Sequence, residues 1–175
     1  MRGIIALLGV GLLAGLVALG GAARADDKAK PADKPQKIAP DKLPEKIMAA
    51  VKGRFPGAQI TSAEKETENG KVVYDIELKH QGRKYEMDIQ EDGTIVEIEK
   101  EVAAKDLPAV TKAVMAKYPG ATIKEIMEVN KVKGKQETPV HYEVTITTAD
   151  KKSKEVIVSL DGKSVKEEKE EGEKK

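Results

Sequence analysis

Apolar residues recur along this chain with two distinct periods. Leu43, Ile47, Val51 and Phe55 stand four apart, with Ala50 on the same side. That is the stripe of one buried helix face. Leu107, Val110, Val114 and Tyr118 repeat the stripe. Pro44 and Pro108 fall in the first turns, where a missing N–H costs little. Asp106 is placed to cap the second helix. Pro56-Gly57 and Pro119-Gly120 stop both helices, because Pro cannot continue one and Gly accepts a left-handed turn.

After each helix the period changes to two. Gln59 to Glu66 is a weak, polar strand candidate, followed by Asn69-Gly70, a two-residue hairpin signal. Val72 to Lys79 turns Tyr74, Ile76 and Leu78 to one side. A turn through His80 to Arg83 leads to Lys84 to Gln90, with Tyr85, Met87 and Ile89 inward. Asp92-Gly93 turns the chain into Thr94 to Lys100, with Val96 and Ile98 inward. The second half follows the same plan. Ala121 to Lys131 is its first strand, and Lys133 to Pro139 a longer connection. Val140, Tyr142, Val144 and Ile146 face inward, then Val156, Val158 and Leu160. Asp161-Gly162 precedes a last strand from Lys163 to Glu168. The predicted fold class is α+β: a tandem repeat of one helix followed by a four-stranded antiparallel sheet, helices on one sheet face. Units this small bury little alone, so they are expected to share a sheet or pack together.

The ends differ from the middle. Residues 1–25 have the anatomy of a secretory signal: Arg2, an apolar run from Ile4 to Ala18, and Ala23-Arg24-Ala25 before a cleavage point. The membrane would then be met only through this segment, before cleavage; the alternative is an uncleaved anchor. Residues 26–42 alternate Asp, Lys, Ala and Pro, with too little apolar surface to offset ordering entropy, and are expected to form a disordered linker. The repeats occupy 43–101 and 106–168, and 169–175 is a charged tail. Without Arg2 and Arg24, 29 basic residues face 30 acidic ones. The basic footprint of a nucleic-acid binder is missing, so nucleic acid is not an expected partner. The absence of Cys excludes thiol chemistry and a disulfide framework.

Leu-Pro ahead of an apolar helix, then Phe/Tyr-Pro-Gly-Ala, Tyr-x-Val/Ile strands and an Asp-Gly turn resemble the PepSY-like domain, a group also described as β-lactamase-inhibitor-protein-like. The resemblance covers about residues 41–168, in two copies. It implies a helix against a four-stranded antiparallel sheet. It also implies that tandem units grip a partner protein with a concave sheet surface, and, for PepSY domains of protease propeptides, restraint of a peptidase. The chain departs from the inhibitor in lacking every Cys, so the inhibitor's binding residues have no counterparts here.

Catalytic signatures fail, and no enzyme activity or cofactor is expected. His80 and His141 are the only histidines, lie in different halves, and lack metal-ligand spacing. Gly162-Lys163-Ser164 imitates the end of a phosphate loop, but the Gly required five positions earlier is Ile157 and no helix follows. One pattern stands out. The alternation that turns apolar residues inward sends Asp75, Glu77, Glu86, Asp88, Glu97 and Glu99 outward together. Like charges on neighbouring strands repel. The plain reading is a solvated face, screened by salt with Lys79 and Lys84 nearby. The sharper reading is a docking surface for a protein or peptide, basic in character. The alternative is a cation-responsive envelope protein holding divalent metal with these carboxylates, weakly, because a flat open face coordinates incompletely.

Overall fold

The computed structural model describes residues 35–68 and 70–167. The leader, its cleavage point, the charged tail and Asn69 lie outside the described residues. The order is β1 (Gln36–Lys37), β2 (Gln59–Glu68), β3 (Lys71–His80), β4 (Arg83–Gln90), β5 (Ile95–Glu101), β6 (Thr122–Lys133), β7 (Gln136–Thr147), β8 (Ser153–Ser159) and β9 (Val165–Glu167). Helix α1 (Glu45–Arg54) precedes β2 and α2 (Pro108–Lys117) precedes β6.

The expected pair of four-stranded units is corrected. All nine strands form one antiparallel sheet in chain order, and the protein is mostly β with only two α-helices among the described residues. The joint is the pairing of β5 with β6, in which Glu97 faces Lys131 and Ile98 faces Asn130. Just beyond it, Val102 N donates to Ile126 O at 2.9 Å. A free edge at β5 would leave a row of backbone donors and acceptors unpaired, and β6 satisfies them. Within the stretch expected to be linker, β1 pairs with β2 and a 3-10 turn spans Pro40–Lys42.

Both helices lie on the same sheet face. Ile47 and Val51 of α1 pack on Tyr74, Ile76, Met87 and Ile98. Val110 and Val114 of α2 pack on Ile126, Val144, Ile146 and Val156. Ile98 faces Asn130 across the joint, and residues 130, 128 and 126 alternate to that side. Asp106 does not cap α2. It ends a 3-10 turn (Ala104–Asp106), and Leu107 holds the cap position without a side-chain bond.

Bulges explain the misplaced inward residues. The register slips between Asp88 and Ile89, so Ile95, not Val96, pairs with Ile89 and packs against the core. A second slip at Val129/Asn130 skips Val140, which is 38% exposed. Leu160 lies past the end of β8 and is exposed. The expected long connection at 133–139 is instead the tip of a hairpin, with Lys133 facing Gln136 around Gly134. That hairpin reaches α1, where Arg54 forms an ion pair with Glu137.

The two Asp-Gly turns brace the helices. Asp92 Oδ1 accepts from Thr94 N at 2.8 Å, and Asp161 Oδ1 from Lys163 N at 3.1 Å. Gly93 has φ +90° and lies against Lys46; Gly162 has φ +68° and lies against Ala109. Both sites need Gly for its backbone angle and for the space.

Candidate functional site

The face opposite the helices carries the acidic residues. The registers place them in two rows across three strands. Glu77 faces Glu86, which faces Glu99; Asp75 faces Asp88, which faces Glu97. All six sequence-predicted residues therefore share one face. Neighbours in a row stand one strand spacing apart, about 4.8 Å, so each feels its neighbours' charge. The rows continue past the joint: Glu97 meets Lys131, and Glu99 meets Val129 and then His141.

These carboxylates are not freely solvated, in contrast to the plain reading. Glu97 is 2% exposed and Glu99 9%. Asp75 is pushed up to about 7, first by burial and then by the charges of Glu86, Glu66, Glu77 and Glu64. Burial also raises Glu97, against the pull of Lys131, whose Nζ lies 2.6 Å from Glu97 Oε2. Glu99 is held well above the usual carboxylate range by burial and then by Glu143, Glu86, Glu97 and Asp88. Buried carboxylates surrounded by like charge hold their protons more tightly. Lys84 offsets part of the repulsion, with Nζ 2.8 Å from Glu86, 3.3 Å from Glu125 and 3.8 Å from Glu77. Glu125 belongs to β6, so this lysine reaches over β5.

Beyond β5 the same face changes character. Met127 and Val129 of β6 are fully buried, and Glu143 of β7, opposite Met127, is 2% exposed. Glu143 Oε1 lies 3.1 Å from His141 Nε2. Period-two alternation already puts His141 and Glu143 on this side. The contribution of Met127, Val129 and Lys131 was not legible, because the face of β6 depends on the joint with β5. His80, the other histidine, ends β3 and joins an aromatic group with Phe55 and Tyr85, its ring 5.5 Å from that of Phe55. Among the described residues no group of three or more His, Cys, Asp or Glu is arranged to hold a metal ion.

Residues 44–99 match the family model of the peptidase propeptide and YPEB domain, PepSY. All six carboxylates lie within that stretch. The match falls within the first of the two repeats expected from the sequence, 43–101. Three solved structures are similar. A DUF2874 family protein of Bacteroides uniformis is 17% identical, with TM-score 0.53, covering 71% of this chain and 89% of its own. A DUF2874 family protein of Bacteroides ovatus is 14% identical, with TM-score 0.52, covering 73% and 89%. A BLIP-like protein of Bacteroides fragilis is 20% identical, with TM-score 0.47, covering 76% and 91%. The first two share the fold. No curated protein matches the chain by sequence. Among the described residues no helix is long and apolar enough to cross a membrane.

Proposed function

We propose that this chain is an exported, non-enzymatic binding module that engages a basic protein or peptide through the helix-free sheet face. The observation that carries this reading is the double row Glu77–Glu86–Glu99 and Asp75–Asp88–Glu97. An arrangement with this much self-repulsion is stabilised by a cationic partner, which relieves the repulsion and draws its charge complement at long range. The PepSY match over these residues fits a protein-binding role, and a peptidase is one partner of that kind. The leader pattern of residues 1–25 supports export to the periplasm or outside the cell, with cleavage after Ala25 as part of this reading.

Defined peptides of equal length and net charge +4, 0 and −4, titrated against immobilised protein, test the reading. The cationic peptide should bind, more weakly as salt rises. The triple variant Glu77→Lys, Asp88→Lys, Glu97→Lys should lose at least tenfold in affinity. Equal capture of all three peptides, or unchanged capture by the variant, removes this face as the binding surface.

A further inference from the structure

Only part of the acidic face can touch a partner. Glu77, Glu86 and Glu125 are partly exposed, as is the Lys84 ammonium that links them; the Glu77 side chain is 30% exposed. Glu97 and Glu99 of β5 and Glu143 of β7 have almost no surface and form a closed floor. Asp75 of β3 stands between Glu64 of β2 and Asp88 of β4. The floor is short of countercharge. Lys131 is committed to Glu97 at 2.6 Å, and His141 to one oxygen of Glu143 at 3.1 Å. The other oxygen of Glu143 is buried without a hydrogen-bond partner. Glu99 stands next to Val129 and Glu143 next to Met127, an aliphatic strip that offers no donor. Leaving a buried acceptor unmade is costly, far more so when it is charged. A closed floor has no room for a side chain or a hydrated metal ion, but a proton needs none.

The groups facing the two proton-holding acids come from every strand around them. For Asp75 they are Glu64 and Glu66 on β2, Glu77 on β3, and Glu86 and Asp88 on β4, with Lys37 of β1 opposite Glu64. For Glu99 they are Glu86 and Asp88 on β4, Glu97 and Glu101 on β5, Lys131 on β6, and His141 and Glu143 on β7. Acids outnumber cations in both sets. Burial, and then this imbalance, raise Asp75 to about 7 and hold Glu99 well above the usual carboxylate range.

We propose that capture at this face is proton-linked: the free protein stores protons on Asp75 and Glu99, and a cationic segment docking on the exposed acids drives them off without entering the floor. This rests on the reading of the face as a surface for a basic partner, and it supplies the regulation of that surface. Added positive charge a few ångströms away favours the ionised form of each stored carboxyl, and the dry floor transmits that field with little screening. Protons leave on binding, so affinity rises with pH. Asp75 alone, half-protonated near pH 7 and ionised in the complex, gives a gain of about tenfold between about pH 6 and pH 8. The partner is held in neutral surroundings and let go in acid ones.

The test counts protons. The +4 peptide, built on Arg and blocked at both ends so that it does not itself titrate, is titrated calorimetrically into the protein at pH 7 in phosphate, HEPES and Tris. These buffers differ in ionisation enthalpy, so the slope of binding heat against that enthalpy gives the number of protons exchanged. Wild type should release about half a proton or more. The double variant Asp75→Asn, Glu99→Gln should release less than half as many, and His141→Gln should keep the wild-type count; a thermal melt checks that both are folded. Wild-type binding without proton release overturns the linkage while the surface stands, and this result needs no variant. An undiminished count in the acid variant overturns it as well, as does a count lost in His141→Gln, which would assign the proton to the imidazole. If the peptide fails to bind at millimolar concentration, the surface and the linkage both fall.

Discussion

Replacing Gly162 with Ala isolates the docking of the β8–β9 turn on α2. Two costs add. At φ +68° an L-residue occupies the left-handed region, which costs about 1 kcal/mol. The new Cβ would also stand 3.0 Å from the Ala109 carbonyl carbon and 3.1 Å from its Cβ and O. Carbon contacts are comfortable only from about 3.5 Å. These are helix atoms, unable to swing aside as a long side chain would, so turn and helix must part, at roughly 1–2 kcal/mol more. The sum is about 2–3 kcal/mol. At Gly93 the nearest atoms are Lys46 O at 3.2 Å and Cβ at 3.4 Å, with φ +90°, and the loss should be about 2 kcal/mol. Gly57 has φ +78° with nothing within 4 Å, so only the backbone cost of about 1 kcal/mol applies. Urea unfolding of the three Ala variants should rank them Gly162, Gly93, Gly57 in decreasing loss. Equal losses at all three sites would refute the claim that these turns brace the helices.

Two further outcomes follow from the acidic face. Asp75, raised by burial and by neighbouring acids to about 7 from an ordinary 3.8, binds more protons folded than unfolded between those values. Its contribution is full at low pH and lost as pH climbs from about 4 through about 7, so Asp75→Asn should leave stability unchanged at pH 4 and raise it at pH 8. The shift sets a ceiling of roughly 4 kcal/mol, and partial exposure should reduce this to about 2 kcal/mol; thermal melts across pH check it, and no gain at pH 8 contradicts it. Lys131→Met strips Glu97 of its 2.6 Å partner and should cost about 3 kcal/mol at pH 7. Adding Glu97→Gln should recover most of the loss in denaturant titrations, and failure to recover would assign it to packing rather than charge.

The legible part of this fold is the part that alternation alone determines. Tyr74, Ile76 and Leu78, and opposite them Met87 and Ile89, are buried as their spacing demands, and the same parity brought six acids to one face. Two residues broke parity. Val96 and Val140 each sit at a bulge, where an extra residue shifts every side chain beyond it, and composition carries no signal for that. The union of the halves was only partly legible. Strand pairing at β5–β6 is made by backbone groups that every residue but Pro possesses, so no side-chain motif marks it. The aliphatic strip of Met127 and Val129 became part of the candidate site only through that pairing. Burial of the acids was missed because alternation gives direction, not depth.

Each strand from β2 to β8 hydrogen-bonds with the one made just before it and the one made just after. Such a meander keeps contacts close in sequence, which lowers the loop-closure entropy lost before native pairing and speeds folding relative to β-proteins with distant strand partners. A chain threaded across a membrane from its N-terminus would present each strand to a partner already on the far side. The growing edge is then covered by the next strand soon after it forms, which limits the time it can template aggregation.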